Sequence, residues 1–146
     1  MAVKPIPDGY HSITPYLVVP GVATLLDFLK QAFEAQELHR MLRPDGTVMH
    51  AEVRIGDSLV MMGEPMGDTQ PLLGSLYLYV NDVDTVYQRA LQAGATSTSA
   101  PAAQFYGDRS AGLKDPAGNQ WWVATHKEDV PPEEIAKRAE ALMQQH

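Results

Sequence analysis

The sequence predicts an α+β fold built from two copies of one strand–helix–strand–strand–strand unit. Three observations predict it. Val48 to Ile55 alternates strictly, with Met49, Ala51, Val53 and Ile55 on one side and His50, Glu52 and Arg54 on the other, the pattern of a strand with one apolar and one polar face. Val22, Leu25, Leu26, Leu29 and Phe33 recur at helical spacing, an apolar stripe that must be buried. Tyr16–Glu34 aligns without gaps on Tyr77–Ala95 with identities at Tyr16/Tyr77, Leu17/Leu78, Val19/Val80, Val22/Val83, Thr24/Thr85, Gln31/Gln92 and Ala32/Ala93, seven of nineteen positions, which marks an internal repeat.

The elements follow in order. Pro5, Pro7 and Gly9 mark an entry arm, and strand signals run from Tyr10 to Val19, with Pro15 pointing to an edge position because proline cannot donate to a ladder. Pro20-Gly21 turns the chain into a helix over Val22 to Phe33. Gln36 to Arg43 suits a strand, and Pro44-Asp45-Gly46 is a hairpin turn into the alternating strand. Gly56-Asp57 is a second tight turn, and Ser58 to Glu64 is the next strand. Pro65 to Leu72 reads as a linker. The second unit opens with a strand at Tyr77 to Val80 and a helix at Val83 to Ala93, stopped by Gly94. Ala95 to Ala103 is a weak strand or a loop. Phe105 to Lys114 follows, then the Asp115-Pro116-Ala117-Gly118 turn and a strand from Asn119 to His126. Pro131-Pro132 starts a last helix, with Glu133 and Glu134 placed to complement its dipole.

Composition narrows the function. A net charge of −7 argues against a general binder of the phosphate backbone, which needs a basic footprint. The chain has no cysteine, so disulfides, thiolate nucleophiles and thiolate metal sites are excluded. No stretch approaches a membrane span, and the N-terminus lacks the apolar run of a signal peptide; a cytoplasmic location is expected. Ser12, Ser58 and Ser75 sit in no nucleophile-elbow motif, and no glycine-rich phosphate loop is present.

Several segments together resemble the glyoxalase/bleomycin-resistance/extradiol-dioxygenase superfamily, the vicinal oxygen chelate fold, and within it the PhnB-like branch. They are Thr14-Pro15-Tyr16-Leu17, Pro44-Asp45-Gly46, His50 to Ser58, Tyr106-Gly107-Asp108-Arg109, Asp115-Pro116-Ala117-Gly118 and Thr125 to Val130. The resemblance implies two tandem βαβββ modules whose sheets curl around a shared cavity, helices outside. It places one domain over residues 1–126, with a first module at about 10–64, a linker at 65–74 and a second module at about 75–126. Residues 127–146 become a tail with a helix at about 131–144. Met49, Ala51, Val53 and Ile55 then face a helix, and His50, Glu52 and Arg54 look toward the cavity. By the same alternation Tyr16, Met62, Glu64, Ser75, Tyr77, Tyr79, Gln120 and Trp122 join them.

Metal-dependent members take His and Glu ligands from the first and last strands of each module. The matching positions here fall at Thr14, Glu64, Ser75 and Trp122. Thr, Ser and Trp are poor ligands for zinc or iron, so no metal and no cofactor is expected. A displaced set of His50, Glu52 and Glu64, with His11 or His126, stands as the alternative; a hydrogen-bonded cavity wall is the plainer reading. His11, His39, His126 and His146 otherwise read as surface. Tyr16, Tyr77, Tyr79 and Trp122 with Met62 and a few charges suit an organic ligand. Arg109 suits an anionic group or an ion pair with Asp108. His50 with Glu52 forms a candidate base and its orienting partner.

The expected function is therefore metal-independent binding of a small organic molecule, in the manner of the superfamily's drug-sequestering members. The alternative is a lyase, isomerase or dioxygenase using a displaced metal or His50 as base. Sequestering members of the superfamily are commonly dimers with sites at subunit interfaces, and a homodimer is expected.

Overall fold

The computed structural model describes residues 2–145; His146 lies outside them. The first module comprises β1 (Tyr16–Val18), α1 (Val22–Phe33), β2 (Gln36–Leu42), β3 (Val48–Ile55) and β4 (Ser58–Gly63). The second comprises β5 (Ser75–Tyr79), α2 (Val83–Gln92), β6 (Thr96–Ala103), β7 (Asp108–Lys114) and β8 (Gln120–His126), and α3 (Pro132–Gln144) follows. Each module forms a four-stranded sheet, β1-β4-β3-β2 and β5-β8-β7-β6. The first and last strands of each pair in parallel, as the crossover helix requires, and the other pairs are antiparallel.

The repeat holds at the level of register. Tyr16 lies opposite Met61 and Tyr77 opposite Trp122. The spacing of 61 that relates Tyr16 to Tyr77 in sequence also relates their partners. Equivalent positions then do equivalent work. Thr125 Oγ1 accepts the Val83 N–H at the start of α2. Its counterpart Glu64 accepts the Gly21 N–H just before α1. Each module uses the end of its last strand to hold an unpaired N–H at the mouth of its helix.

The apolar stripe of α1 is buried, joined by Phe28 and Ala32. Val83, Val86, Tyr87 and Ala90 of α2 do the same for the second sheet. The two modules share one core on this side, where the Phe33 and Trp121 rings approach to 4.9 Å. Trp121 is fully buried and donates its indole N–H to Asp115 Oδ2 at 2.8 Å, which also accepts from Asn119 Nδ2 at 2.9 Å. The Asp115–Gly118 turn is thereby locked to the core, with Asp115 Oδ1 accepting the Ala117 and Asn119 N–H groups.

Three expectations need correction. Met62 packs among the helix-facing side chains: it pairs with Ala51 and Leu17 and is fully buried. Its neighbour Met61, opposite Glu52 and Tyr16, takes the concave face. Strand β4 is apolar at Leu59, Val60, Met61 and Met62, so its alternation carries no phase, and counting placed it one residue out. Met49 is exposed and Val48 is buried in its place, because the pairing of β2 with β3 shifts register between Met41 and Leu42. Residues 10–15 form no strand; β1 holds three residues, and the segment before it belongs to the arm.

That arm lies across the concave face of the first sheet. Gly9 sits beside the Arg54 guanidinium and Leu59, and Pro5, Ile6, Pro7, Tyr10 and Thr14 roof a space of about 420 Å³ over Glu52 and Met61. The sheets remain unclosed. Edges β1 and β5 face each other across an apolar groove of about 420 Å³ that reaches Leu17, Val60, Leu76 and Trp121. The linker residue Leu72 pairs with Val18 at one end of it. Helix α3 packs on its own second module through Arg138, which donates to the Phe105 carbonyl at 3.1 Å and to Glu128 at 2.8 Å.

Candidate functional site

The concave face of the second sheet is assembled by alternation across three strands. Tyr77 and Tyr79 of β5, Trp122, Ala124 and His126 of β8, and Asp108, Ser110 and Gly112 of β7 share it. Gly112 lies opposite Trp122, and a Cβ there would come within 2.8 Å of Trp122 Cζ3 and 2.5 Å of Thr98 Oγ1. A glycine is required so that the indole can lie across β7. The result is a recess of about 320 Å³ lined by Tyr77, Ser99, Gln104, Tyr106, Ser110 and Trp122, near the lower end of the range for small-molecule sites.

Asp108 organises its inner end. Only 3% exposed, it accepts from Tyr77 Oη at 2.7 Å and Tyr79 Oη at 3.0 Å on Oδ2, and contacts His126 Nδ1 at 2.8 Å through Oδ1. His126 Nε2 in turn lies 2.7 Å from Asp129 Oδ1. Burial alone would raise the Asp108 carboxyl, but donation from His126, Tyr77 and Tyr79 outweighs it and holds the group below its ordinary value. Hydrogen bonding to Asp108, then to Asp129, raises His126. A carboxylate on each side favours the imidazolium form, in which both ring nitrogens donate. Tyr77 is pushed up by burial and then by Tyr106 and Asp108; Tyr79 is raised mainly by its hydrogen bond to Asp108. Both phenols stay protonated.

The first sheet carries a second polar group. Tyr16 Oη lies 3.2 Å from His50 Nδ1, and His50 Nε2 lies 3.2 Å from Glu52 Oε1. The long side chains thus close the gap that their i,i+2 positions leave. Both imidazole nitrogens are engaged, and Tyr16, 47% exposed, is the most exposed member of the chain. On the arm side the Tyr10 hydroxyl is buried against Glu52 without a well-formed hydrogen bond. Burial first and the Glu52 carboxylate second push Tyr10 up to about 12. Glu52 is held below its ordinary value by Tyr10, and, against the cost of burial, by His50.

Of the expected site residues, Tyr77, Tyr79 and Trp122 come together on the second sheet, and Tyr16, His50 and Glu52 on the first. Arg54 is on the first sheet's concave face beside Gly9 of the arm. Met62 is in the core. Glu64 is a tie: its carboxylate accepts the Gly21 N–H at 3.0 Å and the Val48 N–H at 2.7 Å. Arg109 points away from the recess and forms a two-pronged pair with Asp84 of α2 at 2.8 and 2.9 Å, where an anion or Asp108 had been expected. Asp108 and His126, in sequence an ion-pair partner and a surface group, are the residues that organise the site. The signal lay in alternation: Trp122, Ala124 and His126 share a face, as do Asp108, Ser110 and Gly112.

The metal positions of the family do not fit a metal here. Both Glu64 oxygens are taken by backbone N–H groups, and Thr14, Ser75 and Trp122 offer no strong donor. Among the described residues no three His, Asp or Glu side chains gather as a ligand set.

Two βαβββ modules, each with a four-stranded sheet and an outer helix, define an α+β fold of the vicinal oxygen chelate class. The chain belongs to the Glyoxalase/Bleomycin resistance protein/Dioxygenase superfamily, whose family model matches residues 9–123. It is 37% identical over 135 residues to the uncharacterized protein Rv0887c of Mycobacterium tuberculosis, covering 85% of this chain and 79% of that protein. Its fold is similar to TioX from Micromonospora sp. ML1 (23% identity, TM-score 0.62, 78% of this chain and 95% of that one). It is also similar to a PhnB protein from Bacillus cereus described as a putative 3-demethylubiquinone-9 3-methyltransferase (19% identity, TM-score 0.64, 79% and 99%). Among the described residues no helix is long and apolar enough to cross a membrane.

Proposed function

We propose that the protein binds a small organic molecule on the concave face of its second sheet and does so without a metal ion. One observation carries this reading: a buried carboxylate, Asp108, fixes two tyrosine hydroxyls beside an aromatic recess of about 320 Å³. Aromatic walls with a few oriented polar groups suit an organic ligand. The donor set at the family's metal positions supports the metal-free part. A thermal-shift screen of small aromatic compounds tests it, since a ligand that binds only the folded state raises the melting temperature. Binding that persists after chelator treatment and weakens in Trp122→Ala supports the reading. Stoichiometric divalent metal in gently purified protein, lost in His50→Ala, contradicts it.

A second reading is an isomerase or lyase of the same superfamily. It is favoured by the Tyr16–His50–Glu52 chain, which could pass a proton from Tyr16 to the imidazole. Turnover lost in both Tyr16→Phe and His50→Ala supports it.

We also read the protein as a cytoplasmic homodimer. Met66, Leu72 and Leu73 of the linker are exposed apolar side chains, and Leu72 lies at the β1 edge. Light scattering at micromolar concentration tests this: a monomer mass removes it.

A further inference from the structure

The polarity of the second-sheet recess follows from where its protons lie. A phenol has one proton to donate and lone pairs to accept with. Tyr77 and Tyr79 both give that proton to Asp108 Oδ2. Asp108 is ionised, so it cannot return one. Each phenol oxygen therefore presents only acceptor capacity to anything outside. Tyr106 Oη sits 3.3 Å from Tyr77 Oη. With the Tyr77 proton held by Asp108, that contact can form only with Tyr106 donating, which leaves its oxygen an acceptor as well.

Three cationic side chains around the recess are engaged elsewhere. Arg109 is turned through the sheet to Asp84. Both His126 nitrogens are held by Asp108 and Asp129. Arg138 is bound to Glu128, Glu134 and the Phe105 carbonyl. The recess lining holds no Lys or Arg. Its walls are the rings of Tyr77, Tyr106 and Trp122, whose π faces attract positive charge. The Asp108 carboxylate, bonded to Tyr77, adds negative charge at its inner end.

We propose that this recess selects a planar, cationic, hydrogen-bond-donating ring, such as a protonated nitrogen heterocycle or an aryl ammonium group, and rejects carboxylates and phosphates of the same size. The proposal rests on the binding reading above and names the ligand class of that same site. An anion entering here meets negative ring faces and the Asp108 carboxylate behind them, with only the neutral donors of Ser99, Gln104, Ser110 and the Trp122 indole, and no cation in the lining, to offset its lost hydration. A cation meets the Tyr77 and Tyr106 oxygens and the Trp122 indole.

Calorimetric titration with three probes on one bicyclic frame tests it: protonated 2-aminoquinoline, 2-naphthol and 2-naphthoate. The protein is the full chain at neutral pH. The cation is expected to bind about tenfold more tightly than the carboxylate, the size of one cation–π contact at a partly desolvated site. In Asp108→Asn the ratio is expected to fall toward one. Because Asp108 is buried and that variant could fail to fold, Ser99→Lys is the second test: Ser99 is an exposed lining residue, and an ammonium there is expected to reverse the preference. Equal or tighter binding of 2-naphthoate by the unmodified protein overturns the charge preference and leaves the binding reading intact. Absence of saturable binding by all three probes overturns both.

Discussion

Tyr77 donates its phenolic proton to Asp108 at 2.7 Å from the opposite side of β8. The contact spans three strands and fixes the edge of the second sheet to its interior. It also makes Asp108 a shared acceptor for two tyrosines and a histidine. Replacing Asp108 with Ala removes three charge-assisted hydrogen bonds and leaves the partly exposed Tyr77, Tyr79 and His126 to solvent. The expected cost is about 3 kcal/mol, read as a lower denaturant midpoint with unchanged slope. A loss below a few tenths of a kcal/mol contradicts the hub.

Glu64 looked like the last survivor of a metal set, yet its carboxylate joins the chain before α1 to the start of β3. Glu64→Ala removes the acceptor for two backbone N–H groups and is expected to cost about 1–3 kcal/mol. Ligand affinity is expected to stay the same. Chemical denaturation and titration of one variant separate the two roles.

The face assignment of β4 can be checked by an adjacent pair. Met62→Ala opens a cavity in the core and is expected to cost about 2–5 kcal/mol. Met61→Ala, beneath the arm, is expected to cost clearly less, about 1 kcal/mol. Equal losses contradict the observed register.

His126 gives stability a pH signature. Its pKa is raised in the folded protein by Asp108 and Asp129 from an ordinary value of 6.5. A raised folded value means the contribution is fully present below the unfolded value and is lost as pH rises through the folded one. The stability difference between the protein and His126→Gln is therefore expected to be largest below about pH 6.5 and to shrink above it. NMR titration of the His126 ring is expected to show a midpoint above that value. A midpoint at or below it contradicts the bridge.

The fold was legible because helices and the repeat are local signals. The α1 stripe has the bounds Val22–Phe33 in both sequence and structure, and the Tyr16/Tyr77 alignment reappears as a shared register. The concave faces were half legible. Trp122, Tyr77 and Tyr79 follow from alternation in strands with a clear phase, whereas the run from Leu59 to Met62 has none. Its second apolar face is explained by the arm, which buries Leu59 from the concave side; nothing local in β4 announces that cover. Asp108 escaped for a related reason. Its role depends on Tyr77, Tyr79 and His126 arriving from two other strands, while its neighbour Arg109 offered a nearer, wrong partner.

The central claim is that a ligand binds on the concave face of the second sheet. Backbone amide NMR during titration with protonated 2-aminoquinoline tests it most directly. The expected result is a set of shifted amides clustered at Tyr77, Ser99, Ser110, Gly112 and Trp122, with those of His50 and Glu52 unmoved. Shifts centred on Tyr16, His50 and Glu52, or along the groove between β1 and β5, would contradict it.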